Sequence, residues 1–517
     1  MRPKDTIARR CVVALDRVLD ARVGADANPL RQLGAVGFFL FWTVAASGSI
    51  VYVFFDTSVA GAHASLRSLH QDQAWFGGLA RSIHRYASDA LIAVSVLHLL
   101  REWALGRFRA FRWFTWVSGL SLVVLALVSG LVGYWLVWDD AAAWMAAALL
   151  EWLVWLPGLG AALTRNAVAQ ANVTDRLFSL LLFLHIGVSL LLLLGMWVHI
   201  QRLTTPRTAP GRTTGAWMLA TLAVLGIAWP APLGAIADLA RVGASLRIDW
   251  FYLALLPAGQ AAPGLTWAVL GAVSALLCAL PWSGRLPRLP AAVVDPANCN
   301  GCSRCFDDCP YGAIVMRAHV ERRRHHAMAE VRAGDCAACG ICAGSCPSAT
   351  PFRGTERLAS GIDIPSLPVD AIRERLREAL LALPVSGGVL VFACECAAAP
   401  LAVEGAKSVM LSCAGQLPPA FVEYALRQGA GTVVVNACPP GDCEYRFGAI
   451  FCADRLERRR EPSLRMGVER GQVVLSSHGR GHEDRLRARI ATLRIRARLA
   501  GLAAHAEPPD DGVRGNG

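Results

Sequence analysis

The stretch Arg81–Arg101, RSIHRYASDALIAVSVLHLLR, decides how the first half of this chain is read. It is apolar enough for a buried helix, yet a histidine stands near each end and an arginine lies three residues outside each histidine. His84 and His98 are fourteen residues apart, an interval that returns to nearly the same helix face about 21 Å further along the axis. The interval recurs in LHIGVSLLLLLGMWVHIQR, where His185 and His199 are followed three residues on by Arg202. It recurs again between Gly34 and Gly48, and between Gly119 and Gly133. Two antiparallel neighbouring helices with paired histidines would clamp two planar cofactors stacked across a membrane. Residues without Cβ let a flat macrocycle approach the backbone. The reading is a four-helix bundle holding two hemes b. A lone histidine in such a helix is as readily a hydrogen-bonded packing residue, but matched pairs of intramembrane ionisable residues point to function. Arg81, Arg101 and Arg202 could be snorkelling anchors if taken alone. Beside the histidines they are placed to pair with heme propionates.

The composition agrees. Of 517 residues, 54% are hydrophobic, and six runs before residue 285 are long enough to cross a bilayer: Leu33–Phe55, Ile83–Leu100, Phe114–Val137, Leu177–Ile200, Trp217–Ile236 and Leu265–Trp282. The segment before them is basic without a signal-type apolar core and reads as an interfacial helix. A net charge of +12 could suggest nucleic acid. Its arginines, however, cluster before the first run, in alternate loops and after the sixth run. The positive-inside rule therefore puts both termini and everything after residue 285 in the cytoplasm, and no nucleic-acid partner is expected. Fourteen of the sixteen cysteines fall between Cys299 and Cys452, on that reducing side, so metal ligation is preferred to disulfides.

Residues 30–205 resemble the N-terminal half of the cytochrome b family of quinol oxidoreductases. The likeness rests on the paired histidines and glycines, on Arg81 and Arg101, and on SGLVGYWLVWDDAAAW, Ser129–Trp144, where Val137 replaces a usual proline. The resemblance implies that His84 and His185 hold the heme nearer the outer face, and His98 and His199 the inner one. RIDWFYLALLPAG, beginning at Arg247, resembles the family's PEWYFL quinol-site motif, with Ile248 for proline and Asp249 for glutamate. A carboxylate at the apolar edge of a quinone pocket can accept the proton that accompanies each electron, which makes Asp249 the candidate acceptor. The alternative is an interfacial aromatic belt there, with quinone bound on the inner side near His199 and Arg202.

After a proline-rich exit come CNGCSRCFDDCP, Cys299–Pro310, and CAACGICAGSCP, Cys336–Pro347. Each is C-x2-C-x2-C-x3-C-P, in which the fourth cysteine ligates the other cluster. Cys299, Cys302, Cys305 and Cys346 are expected to hold one 4Fe–4S cluster, and Cys336, Cys339, Cys342 and Cys309 the second. A zinc ribbon would use two CxxC pairs instead. The basic insert RAHVERRRHHAMAEVRAG reads as a solvated loop or a dock for an acidic partner.

Further on, three apolar strands, GGVLVFACEC, KSVMLSC and GTVVVNACPPGDC, alternate with turns and a helix in an α/β pattern. Cysteines end all three, and strand ends converge at one edge of a parallel sheet. Buried structural cysteine is the plain alternative. FACEC, LSCAGQLPPAFVEYALRQGA and NACPPGDCEYRFG resemble the delta subunit of methyl-viologen-reducing hydrogenase, associated with heterodisulfide reductase systems. That resemblance implies a 2Fe–2S cluster on Cys394, Cys413, Cys438 and Cys443, with Cys396 a rival for the first position. Cys11, Cys278 and Cys452 read as structural.

The expected fold is thus an all-α transmembrane heme-binding bundle of about six spans, then an α+β dicluster ferredoxin domain, then a small α/β iron–sulfur domain. The expected division is residues 1–32 basic helix, 33–204 bis-heme bundle, 205–290 two further spans with a quinone-site-like loop, 291–355 ferredoxin, 356–384 linker helix, 385–460 the 2Fe–2S domain and 461–517 a basic, partly disordered tail. The expected function is a multi-pass subunit of a prokaryotic inner membrane, with its iron–sulfur domains in the cytoplasm. It would carry electrons between quinone and a soluble flavin-containing reductase, hydrogenase or heterodisulfide-reductase-like partner. A homodimer is compatible with this reading. The rivals are a self-contained ferredoxin:quinone oxidoreductase and a redox sensor without turnover.

Overall fold

The computed structural model describes residues 6–506 except 25–26, 110–111, 157–172, 202–206, 239–248, 284–288, 320–325, 385–387, 399, 401–402, 440–442, 466, 470 and 480, with side chains described to residue 496. The chain divides into two compact units, Pro3–Arg285 and Leu286–Gly517.

The first unit is helical. Helix α1, Ile7–Val23, starts where the Thr6 side chain accepts from the Arg9 amide, and ends at Gly24 with φ +86°. Its buried residues are acidic, Asp16 and Asp20, while Ile7, Leu15 and Val18 are exposed. Asp20 accepts from Asn28 and takes Arg31 in a bidentate pair, which fixes the turn into α2, Leu33–Phe54. Then follow α3, Gly61–Gln71; α4, Leu79–Ala104; α5, Trp113–Val137; α6, Asp140–Leu153; α7, Asp175–Ile200; α8, Arg212–Ala228; α9, Leu256–Ala261; and α10, Pro263–Ala279. The main pairings are α2 with α4 and α5 with α7, and α8 lies against α4. One core joins them through Phe41, Ile92, Ala126, Met145, Trp152, Leu192 and Met196.

Much of the outer surface of this unit is apolar. Leu190, Leu191 and Leu194 of α7 are exposed, and α10 buries none of its residues. Such faces suit hydrocarbon rather than water. Among the described residues, four stretches are long and apolar enough to cross a membrane: Pro29–Phe54, Trp113–Val137, Asp175–Ile200 and Pro263–Trp282. Helix α4 has 26 residues, long enough by itself, but carries Arg81, Arg85, Asp89, Arg101 and Glu102.

The fifth run departs from expectation. It forms α8, Arg212–Ala228, seventeen residues ending well before Ile236. Pro230 and Pro232 explain the stop, since proline lacks the amide and clashes with the preceding turn. The chain beyond is strapped to the bundle. Tyr86 donates to the Trp229 carbonyl, Ser82 accepts from the Ala231 amide, and His63 bonds the Gly234 carbonyl at 2.9 Å. Asp139 caps α6 and also accepts from Gly234 at 3.1 Å.

The second unit begins with β1, Val293–Val294, and continues with the single-turn helix α11, Arg304–Asp307, the hairpin β2, Ile314–Ala318, with β3, Ala327–Val331, and the single-turn helix α12, Ile341–Gly344. Strand β4, Ile362–Asp363, pairs antiparallel with β1. The expected linker helix is α13, Val369–Leu381. The basic insert, residues 317–334, supplies the end of β2 and all of β3 and so is not a loop throughout; its residues 320–325 lie outside the description.

The three expected strands are β5, Val389–Cys394; β6, Ala406–Leu411; and β7, Thr432–Asn436, with α14, Pro419–Arg427, before β7 and α15, Gly448–Leu456, after it. A fourth, β8, Val473–Ser476, completes a parallel sheet of order β6-β5-β7-β8. Alternate residues face two cores. Val389, Val391 and Val434 meet Leu486 and Ile490 of α16, Glu483–Ala506, whereas Leu390, Phe392, Val433 and Val435 join the core that also holds Cys305, Cys342 and Cys346. Burial on both faces is why these strands read as continuous apolar runs. Strand β8 and α16 lie beyond residue 460, so the sheet continues into the stretch read as a basic tail.

Candidate electron-transfer sites

The four glycines each face a histidine. A Cβ built on Gly48 would lie 2.7 Å from His84 Cε1, and one on Gly133 would lie 2.9 Å from His185 Cε1. On Gly119 it would lie 3.4 Å from His199 Cε1, and on Gly34 it would lie 3.7 Å from His98 Cε1. The imidazole rings thus lie against the glycine backbones, where a side chain would crowd them. Nδ1 of His84 bonds the Val44 carbonyl at 2.9 Å, Nδ1 of His185 bonds the Ser129 carbonyl at 2.9 Å, and Nδ1 of His199 meets Ser118 Oγ at 2.9 Å. A carbonyl partner assigns the proton to Nδ1, which leaves the Nε2 lone pair for a metal.

The rings of His84 and His185 stand 6.2 Å apart, centroid to centroid, at 68°. A metal bound at about 2 Å from an imidazole nitrogen lies roughly 3 Å from that ring's centroid. The observed gap is thus the one two imidazoles need to share a single iron. The residues fit a bis-histidine heme.

The arginines expected beside propionates hold protein partners. Arg101 makes a bidentate pair with Asp16 at 3.0 and 2.9 Å, docking α1 on the end of α4. Arg81 donates to the Ala231 and Pro232 carbonyls at 2.6 and 2.7 Å, holding the strap after α8. Arg202 lies outside the described residues, as does Ile248.

Asp249 is not a lone acid. Its Oδ1 accepts from the amides of Phe251 and Tyr252 at 2.8 and 2.7 Å, and its Oδ2 is ion-paired with Arg85. Arg85 also pairs with Asp89 at 3.0 Å and lies over the Tyr134 ring, 4.6 Å from its centroid. Tyr252 fills the space over Gly130 and bonds Ser88 Oγ at 2.5 Å. Of the three aromatics in the motif only Tyr252 is buried; Trp250 is 80% exposed. Arg85, Asp89 and Tyr134 were missed in the sequence. The signal available was the i,i+4 spacing of Arg85 and Asp89, starting one residue after His84.

In the second unit the cysteines gather as two sets with exchanged fourth members. One cavity, about 300 Å³, is lined by Cys299, Cys302, Cys305 and Cys346 with Gly301 and Gly361. The other, about 340 Å³, is lined by Cys309, Cys336, Cys339 and Cys342 with Pro310 and Tyr311. Backbone amides reach the sulfurs: Ala292 and Ala338 donate to Cys336 at 3.4 Å, and Ala313 to Cys309 at 3.3 Å. Burial pushes the Cys305 and Cys339 thiols up to about 12. These thiols are neutral until a metal displaces their protons. The two cavities fit cubanes.

At the sheet edge, Cys394 Sγ lies 3.6 Å from Cys438 Sγ. Two thiolates on one tetrahedral metal at about 2.3 Å are roughly 3.8 Å apart. Cys413 and Cys443 flank Gly448, where an added Cβ would lie 2.1 and 3.7 Å from their sulfurs. Hydrogen bonds from Cys413 and Cys438 hold the Cys443 thiol well below its usual range. The four sulfurs suit a dinuclear centre, and the Cys396 side chain is hydrogen-bonded to Cys394 beside them. Cys452 is buried, as expected of a structural residue, whereas Cys11 and Cys278 are exposed.

A family profile described as cytochrome b/b6/petB matches residues 20–206. Cytochrome b6 of Oltmannsiellopsis viridis is 32% identical over 170 residues, covering 32% of this chain and 78% of that protein. Cytochrome b6 of Heterocapsa triquetra is 32% identical over 199 residues, covering 36% of this chain and 88% of that one. The chain belongs to the cytochrome b/b6 family. Cytochrome b6 of Chlamydomonas reinhardtii is similar at 30% identity over 170 residues, covering 32% of this chain and 78% of the relative. Beyond the cytochrome b region, a 4Fe–4S dicluster domain profile matches residues 298–350, and the profile of the methyl-viologen-reducing hydrogenase delta subunit matches residues 389–498. The latter span takes in β8 and most of α16. A chain of a structure titled hyperthermophilic respiratory Complex III is similar at TM-score 0.40 and 18% identity, covering 49% of this chain and 75% of that one. Cytochrome b relatives are integral membrane proteins that bind heme b, and the ferredoxin region implies 4Fe–4S clusters. Together the cytochrome b and iron–sulfur regions point to membrane electron transfer.

Proposed function

We propose that this cytochrome b family protein carries electrons between the quinone pool and a soluble heterodisulfide-reductase-like or hydrogenase-like flavoprotein. It would do so through two hemes b, two 4Fe–4S clusters and one 2Fe–2S cluster. The observation that carries this reading is the presence, on one chain, of facing histidines and two cavities that exchange their fourth cysteines. His84 with His185, and His98 with His199, hold the hemes. Cys299, Cys302, Cys305 and Cys346 hold one cubane, and Cys336, Cys339, Cys342 and Cys309 the other. Cys394, Cys413, Cys438 and Cys443 hold the dinuclear cluster. The bound groups supply one-electron exchange; the protein's residues fix, hydrogen-bond and shield them.

Quinone binds beside Arg85, Asp249 and Tyr134. Arg85 neutralises Asp249. A quinol that draws Arg85 toward Asp89 leaves Asp249 free to take its proton. The arginine pattern of the loops supports an inner-membrane location with the iron–sulfur unit on the cytoplasmic side.

The test is turnover of the purified full chain in detergent, with reduced methyl viologen as donor and a short-chain quinone as acceptor. Quinone reduction is expected, and it should be abolished in His84→Ala. Spectrally intact protein that reduces no quinone would leave a sensor as the better reading.

A further inference from the structure

We propose that the second cavity, not the first, exchanges electrons directly with the C-terminal cysteine set, so that the order is first cubane, second cubane, dinuclear cluster. This deepens the function just proposed and rests on it. The argument starts from where the two cysteine-bearing regions touch. Cys339 and Ile341 of the second cavity cluster with Cys413, and Tyr311, Tyr445 and Phe451 close around them. Ile341 is fully buried and lies between the ligands Cys339 and Cys342 in sequence.

Three glycines make the approach close. A Cβ on Gly448 would stand 2.1 Å from Cys413 Sγ and 3.5 Å from Ile341 Cδ1. On Gly415 it would stand 3.0 Å from Ile341 Cγ1, and on Gly344 it would stand 2.1 Å from the Gly415 carbonyl. Helix α12, the turn Ala414–Gln416 and helix α15 therefore meet backbone to backbone, as no larger residues would allow.

Arginines from the C-terminal part then hold the second cavity's own loops. Arg455, 0% exposed, donates to the Gly415 carbonyl at 2.8 Å and to the Ile341 carbonyl at 3.4 Å, and it is ion-paired with Asp308, the residue before Cys309. Arg460 Nε reaches the same Asp308 at 2.7 Å. Arg446 donates at 2.7 Å to the carbonyl of Pro310, the residue after Cys309. A buried ion pair seldom adds net stability, but breaking one is strongly destabilising, so this arrangement specifies one alignment. The first cavity is lined by residues 299–362, includes the exposed Cys302, and has none of its lining residues in the cluster around Cys413.

Tunnelling falls steeply with distance and with gaps, and a close-packed interior offers few gaps. One electron leaves the centre held by Cys339 and arrives at the one held by Cys413; no bond breaks and no proton moves. The electron's other neighbour, for the second cubane, is the first.

Electron paramagnetic resonance of the fully reduced full chain tests the order. The C-terminal signal is expected to be split by the second cubane. Cys336→Ala should collapse the splitting and leave the signal, and Cys302→Ala should leave the splitting intact. The opposite pattern would overturn the order. If Cys336→Ala also abolishes the C-terminal signal, Gly448→Ala decides: it should change the signal and its splitting while both cubane spectra and both hemes stay as in wild type. An unaltered splitting in Gly448→Ala would refute the junction. Cluster iron near ten atoms per chain, besides the two heme irons, with a reversed order would sink this inference alone, whereas absent clusters would sink the functional reading beneath it.

Discussion

The glycines that face the histidines make a graded series. Alanine at Gly48 would place a carbon 2.7 Å from Cε1 and 2.9 Å from Nδ1 of His84, closer than ordinary contact. The ring must retreat by several tenths of an ångström, away from the 2.9 Å bond that fixes its tautomer. Overpacking of this kind costs about 1–3 kcal/mol, and a lost hydrogen bond about 1 kcal/mol more. A total of roughly 2–4 kcal/mol set against ligation weakens heme binding by a factor of about 30 to 1,000. Gly133→Ala, at 2.9 Å from His185, should behave alike. Gly119→Ala at 3.4 Å and Gly34→Ala at 3.7 Å meet ordinary contact and should retain both hemes. The assay is the pyridine hemochrome ratio of heme to protein in purified variants, with a redox titration to identify the heme that is lost. Full heme content in Gly48→Ala together with loss in Gly34→Ala would refute the reasoning.

Other outcomes are expected on the same grounds. His84→Ala and His185→Ala should remove one and the same heme, and His98→Ala and His199→Ala the other, by redox titration; different losses within a pair would break the assignment. Cys413→Ser and Cys443→Ser should remove only the C-terminal paramagnetic signal, and Cys394→Ser should do so while Cys396→Ser should not. Asp249→Asn should slow quinol-linked heme reduction at every quinol concentration with both heme spectra intact, whereas a change confined to apparent affinity would make it a positioning residue. Asp16→Ala leaves the partly buried Arg101 without its bidentate partner. It should lower the thermal midpoint by an amount matching about 3–5 kcal/mol, read by heme release on heating.

What was legible in the sequence was whatever a local period writes. The fourteen-residue intervals picked out the histidines and the glycines that face them, and the four-cysteine runs picked out the cysteines that line both cavities, exchanged members included. Partners far apart along the chain were not legible. Nothing local says that Arg101 is held by Asp16, that Arg81 is spent on the Ala231 and Pro232 carbonyls, or that Asp249 meets Arg85. The fifth run misled because its apolar residues continue through Pro230 and Pro232, and composition alone does not register a helix stop. Helix α16 is legible as a basic surface helix from its arginines, but its packing on the sheet through Leu486, Ile490 and Leu493 is not.

The central claim is that electrons cross between the iron–sulfur unit and the hemes of the same chain. Rapid mixing of the oxidised, detergent-solubilised protein with reduced methyl viologen, with both hemes followed by absorbance, tests it most directly. The account predicts fast heme reduction in the wild type, at least tenfold slower reduction in Cys302→Ala and Cys336→Ala of unchanged heme content, and reoxidation on adding quinone. Heme reduction at the wild-type rate in both cysteine variants would contradict it.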